Sequence, residues 1–199
     1  VPEVNMRELV SEGRFAEAGD VAAHMLSKRP LNPEANLIRG VAALYGSISP
    51  SAVASFNEGN GESSAELLAT AVVSLRRALL DTQIIESEPA AHYALGKAYY
   101  HRGYFYYDLA VRYLEASLKF GYDAVDTYEY LGLAYAGLGD VRGLEYFRHA
   151  LERRPSDLLH LKVATMLVDK GEIAAAREHL IQAIDLSEDV GITQRARYE

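Results

Sequence analysis

The stretch HYALGKAYYHRG, residues 92–103, decides the fold. A small residue, Gly96, is followed three positions on by Tyr99 and seven positions on by Gly103. Two other stretches repeat that spacing: YEYLGLAYAGLGD with Gly132, Tyr135 and Gly139, and LKVATMLVDKGE with Ala164, Leu167 and Gly171. After each closing glycine runs a second apolar stripe: Ala110, Leu114 and Leu118, then Gly143, Phe147, Ala150 and Leu151, then Ala176, Leu180, Ala183 and Ile184. Spacings of three and four on both sides of a glycine predict helix, turn, helix. The small residue lets the second helix approach closely, the large one beside it fills the gap, and the glycine ends the first helix with positive φ.

The pattern resembles the tetratricopeptide repeat, whose signature includes L-G-x-x-Y, a glycine turn, A-x-x-x-F-x-x-A and a proline. Leu95-Gly96…Tyr99 and Leu131-Gly132…Tyr135 match its first half, and Phe147…Ala150-Leu151…Pro155 its second. GRFAEAGDVAAHMLSKRP (13–30) matches the turn, second helix and terminal proline. ANLIRGVAALYG (35–46) reads as a first helix with Gly40 small, and AELLATAVVSLRRALL (65–80) as its partner. The step from Gly96 to Gly132, followed by GYDA after the helix, is also similar to the Sel-like repeat. Departures are the lack of tryptophan, a turn after Gly103 two residues longer than the template, and a turn after Gly139 one shorter. The resemblance implies an all-α solenoid of about five helical hairpins in one domain, stacked as a right-handed superhelix with the first helices lining its concave face. The repeats fall near 1–30, 33–80, 89–122, 124–155 and 157–188, with 189–199 starting a further helix in what reads as part of a longer protein. Between them SISPSAVASFNEGNGESS (47–64), rich in Ser, Asn and Gly, reads as an inserted loop and the most mobile internal segment.

The stretch KAYYHRGYFYYD (97–108) holds six aromatic residues in twelve. Tyr99 is expected in the core, Phe105 beneath the glycine turn, and Tyr104, Tyr106 and Tyr107 in an aromatic cluster over the hairpin end. Residues three before and one, four and five after the small residue project away from the hairpin's own packing. That rule assigns to a partner-binding groove Leu37, Val41, Leu44 and Tyr45, then Tyr93, Lys97, Tyr100 and His101, then Glu129 and Leu133, then Leu161, Thr165, Val168 and Asp169. Tyr93 and Tyr100 are expected to carry no packing duty toward their own hairpin. Such a lining suits an extended peptide or an amphipathic helix with apolar anchors and some basic residues. Some tetratricopeptide domains hold a partner's terminal carboxylate with Lys and Asn from consecutive first helices. Lys97 is present here, but Val41 and Leu133 stand where the asparagines would be.

Composition narrows the function further. Twenty-eight acidic against 20 basic residues give a net charge of −8, with the cations scattered, which repels phosphate backbones. No apolar run approaches the roughly 18 residues that span a bilayer. The absence of cysteine excludes disulfides and thiolate chemistry and leaves the compartment open, with the periplasm or cell envelope as the leaning and the cytoplasm as the alternative. The six histidines, 24, 92, 101, 149, 160 and 179, show no HExxH, and each stands alone in a helical segment, reading as surface or half-buried rather than as a ligand or base. NEGNGE (57–62) has glycines where a calcium loop needs oxygen donors. No catalytic, cofactor or metal residues are expected. The reading is a scaffold or adaptor in a larger bacterial assembly, binding a protein or peptide, with homo-oligomers compatible. A sensor with a small ligand or signalling peptide in a tyrosine-rich pocket, or the regulatory module of an enzyme lying elsewhere, are the alternatives.

Overall fold

The computed structural model describes residues 6–48, 63–80 and 89–187. Among these the chain holds ten α-helices and no strand: α1 (Met6–Ser11), α2 (Phe15–Lys28), α3 (Pro33–Ile48), α4 (Ser64–Ala78), α5 (Pro89–His101), α6 (Tyr107–Lys119), α7 (Thr127–Gly137), α8 (Gly143–Arg153), α9 (Asp157–Asp169) and α10 (Ile173–Leu186). The expected inserted loop at 47–64 is shorter at both ends, since Ser47 and Ile48 finish α3 and Ser64 opens α4 under the Ser63 cap; residues 49–62, NEGNGE among them, and the expected start of a further helix at 189–199 lie outside the described residues. The helices pair in sequence, α1 with α2 through α9 with α10. They fall in two compact units, residues 1–122 and 123–199.

Four helix ends close in the same way. The peptide N–H of Arg14, Tyr122, Asp140 and Glu172 each donates to the carbonyl five residues back, at 2.9 Å. The residue before each is a glycine with φ between 70° and 85°: Gly13, Gly121, Gly139 and Gly171. This is the Schellman arrangement, in which a left-handed residue lets the chain cap orphan carbonyls and turn back. Gly103 solves the problem differently. Its backbone lies at φ 97°, ψ −177°, a region open essentially to glycine alone, and the chain continues into a single 3-10 turn, Tyr104–Tyr106, closed by Tyr106 N–H on the Gly103 carbonyl at 2.9 Å.

The small-residue rule holds at three hairpins. A Cβ on Gly40 would come within 2.5 Å of Leu75 Cγ, one on Gly96 within 2.6 Å of Leu114 Cγ, and one on Gly132 within 2.5 Å of the Phe147 ring. Leu75, Leu114 and Phe147 are fully buried, so the second helix of each pair seats a large apolar side chain on the bare backbone of the first. In the 123–199 unit Phe147 leads a core with Leu144, Leu159, Val163 and Leu167 that ties α8 to α9. In the 1–122 unit Met6, Leu9, Ala18, Ala22, Ala35 and Ile38 join α1, α2 and α3. Burial on this pattern, more than any polar contact, holds the hairpins closed. Where α4 begins, Ser63 and Glu66 form a reciprocal capping box: the Glu66 N–H donates to the Ser63 hydroxyl at 3.2 Å, and the Ser63 N–H to the Glu66 carboxylate at 2.7 Å.

Phe105 departs from expectation. It is 89% exposed, because the exit at Gly103 and the 3-10 turn swing it outward instead of under the turn. Tyr106 takes the inner place, its ring 6.0 Å from that of buried Tyr99.

Candidate functional site

Of the residues expected to face a partner, those of α3 and α5 lie in the 1–122 unit, and two of them, Tyr45 and Tyr93, meet at Lys97. The Lys97 ammonium lies 5.2 Å from the ring centroid of Tyr45 on α3 and 5.2 Å from that of Tyr93, one helical turn earlier on α5. Aromatic faces are the right neighbours for a cation held only 4% exposed, since the ring quadrupole replaces part of the lost hydration. Each ring is itself held in place. Tyr45 stacks on Phe15 at the start of α2 (4.9 Å, 15°), and Tyr93 leans on Tyr122 (5.4 Å, 48°). Tyr100, the next aromatic along the helix, is half-buried, stacked on Tyr107 (5.2 Å, 9°) and met edge-on by His101. Burial, and then the neighbouring Lys97 charge, hold the His101 pKa below its ordinary value.

The other face of α5 is structural. Tyr99 stacks on Tyr113 (5.6 Å, 16°) and on Tyr106; burial pushes its phenol pKa up, opposed by Arg76 from α4, which also hydrogen-bonds it.

The offset rule thus sorts only part of the stripe. Val41, Tyr45, Tyr100 and His101 are half-buried and reachable, whereas Leu37, Leu44, Tyr93 and Lys97 are buried. Tyr93 corrects the expectation that it has no packing duty. Its neighbour Tyr122 follows the second helix of the same hairpin, just beyond the turn at Gly121, and no spacing within α5 announces it.

In the 123–199 unit the assigned residues have separate tasks. Glu129 accepts a hydrogen bond from Arg154 at 3.2 Å, Leu133 and Val168 pack against the core, Leu161 is buried, the Thr165 hydroxyl donates to the Leu161 carbonyl at 3.0 Å, and Asp169 is exposed at the end of α9. Two of the histidines expected to stand alone do not: His160 and His179 meet at 2.9 Å. Sequence reasoning also passed over a cleft of about 540 Å³ between α2, α3 and α4, lined by Leu26, Asn36, Arg39, Val73 and Arg77. Among the described residues no three His, Cys, Asp or Glu side chains are placed to hold a metal ion together, and no helix is long and apolar enough to cross a membrane.

No family model and no curated protein sequence matches the chain. Solved structures do. YrrB, described as a TPR protein with an unusual peptide-binding site, is 16% identical, covers 98% of this chain and 89% of its own, and superposes with a TM-score of 0.69. MamA from Desulfovibrio magneticus RS-1, from its residue 41 onward, is 22% identical over 91% of this chain and 90% of that one, with a TM-score of 0.64. TTC0263, a thermophilic TPR protein of Thermus thermophilus, is 17% identical over 97% and 94%, with a TM-score of 0.53. The chain has the tetratricopeptide-repeat fold. In tetratricopeptide terms, α3, α5, α7 and α9 are first helices and α4, α6, α8 and α10 second helices; in the first three of these pairs the first helix carries the small glycine and the second the side chain that covers it.

Proposed function

We propose that the chain is a non-enzymatic protein–protein interaction scaffold that holds a peptide or protein segment against the first helices of its hairpins. In the 1–122 unit the contact strip is Val41, Tyr45, Tyr100 and His101, drawn from the two first helices α3 and α5 that meet at Lys97. The observation that carries this reading is the Lys97 ammonium set between two tyrosine faces with a half-exposed aromatic rim beside it. Rings whose positions are already fixed by stacking lose little side-chain freedom when a partner covers them. A peptide-binding site on YrrB, a protein of the same fold, supports the reading in kind. An adaptor role in a bacterial assembly is its natural extension.

A photo-crosslinking amino acid placed at position 100 in the cells that make the protein tests this. A discrete crosslinked product at position 100, absent when the same group replaces the exposed Arg112 of α6, is the expected outcome. Equal labelling at both positions, or none at position 100, removes the strip as the binding surface.

A further inference from the structure

His160 on α9 and His179 on α10 face each other across the last described hairpin. Their Nδ1 atoms are 2.9 Å apart and their rings 5.1 Å apart at 38°. Both are half-buried, and both line a cleft of about 360 Å³ together with Glu178 and Gln182. Two imidazole nitrogens bound to one ion at about 2.0–2.1 Å, at about 90–110° to each other, lie about 2.9–3.4 Å apart. The observed separation falls at the near end of that range. Because the two rings come from different helices of one packed hairpin, the fold has already met the entropic cost of bringing them together.

We propose that His160 and His179 form a two-imidazole site for one divalent transition-metal ion, bound through both Nδ1 atoms, with water filling the remaining positions. In the metal-free chain one ring donates its Nδ1–H to the other. On metal entry that ring carries its proton on Nε2 instead, so both Nδ1 lone pairs turn to the ion and no net proton is lost. Imidazole ligands without thiolate or clustered carboxylates favour Cu²⁺ over Ni²⁺ and Zn²⁺. Close to His179, Glu178 on α10 attracts an incoming cation and Arg148 on α8 repels it.

The tag-free full chain, titrated with Cu²⁺ and followed by visible absorption and electron paramagnetic resonance, provides the test. One equivalent bound with two nitrogen ligands is expected, and His160→Asn and His179→Asn should each weaken Cu²⁺ binding by at least about tenfold. His24→Asn and His149→Asn, both at exposed positions, should leave it unchanged. Variants that bind Cu²⁺ as the parent does, or a parent spectrum with fewer than two nitrogens, would reduce the pair to a hydrogen bond. The spectrum of the parent chain decides the matter even if a substitution loosens the hairpin.

Discussion

Tyr99 and Tyr100 are adjacent in sequence and opposite in duty. Tyr99 is 4% exposed between Tyr106, Tyr113 and Arg76, so Tyr99→Ala opens a cavity and should cost about 3–5 kcal/mol in urea unfolding. Tyr93→Ala should also destabilise, since that ring is buried against Tyr122. Tyr100→Ala should change stability much less, because the ring is half-exposed beside Tyr107 and His101, yet as an anchor it should weaken partner binding by roughly thirtyfold when removed. A Tyr100→Ala chain that unfolds as readily as Tyr99→Ala would place Tyr100 in the core and take it out of the strip. Gly96→Leu and Gly132→Leu test the close approach at the same scale. Leu114 and Phe147 already fill the space a Cβ would need, so each should cost about 1–3 kcal/mol or more. The fate of Tyr99 was legible in the sequence because it stands three residues after the small Gly96, on the packing stripe of the repeat. That of Tyr93 was not, because Tyr122 lies 29 residues away on a segment with no helical period to place it.

At the scale of elements, the glycine turns divide into two kinds. Gly139 and Gly171 occupy the left-handed region with φ of 70° and 76°, where an alanine is strained by about 1–2 kcal/mol. Gly103, at φ 97° and ψ −177°, has no comparable refuge for a side chain, although nothing stands within 4 Å of where its Cβ would be. Gly103→Ala should therefore lower the thermal midpoint more than Gly139→Ala, purely through backbone strain. Equal losses would mean that the α5–α6 turn relaxes into the common form. The two extra residues before α6 were visible in the sequence, but not the backbone path they impose. That path is what exposes Phe105 and brings Tyr106 inward, so counting residues located the irregular turn without showing which ring it would bury. The α4 start was more local: Ser63 and Glu66 stand three apart, and Ser63→Ala should cost about 1 kcal/mol by removing the cap.

Across the whole molecule, the histidines set how stability depends on pH. His101, His160 and His179 all have pKa values held below the ordinary value near 6.5, with burial as the first cause in each. His160 and His179 are 19 residues apart, and the repeat register that aligns Ala164 with Gly171 also sets α10 against α9, so their meeting was implicit in the pattern although each looked solitary along the chain. A group whose folded pKa is depressed binds fewer protons folded than unfolded, so its contribution to stability is complete above the unfolded pKa. As pH falls below about 6.5 the unfolded chain takes up protons that the folded chain resists, and stability drops until the folded pKa values are passed. The carboxylates with lowered pKa values, Glu17, Glu66, Asp140 and Glu172, enter only at lower pH, as the unfolded values near 4 are approached. The interval from pH 7.5 to 5.5 therefore isolates the histidines. With a chelator present to keep metal out, the thermal midpoint should fall steadily across it, and His179→Asn should flatten the fall by removing one depressed base and relieving His160 of a neighbour. A midpoint that stays level or rises toward pH 5.5 would show that these imidazoles gain protons as easily in the folded chain as in the unfolded one.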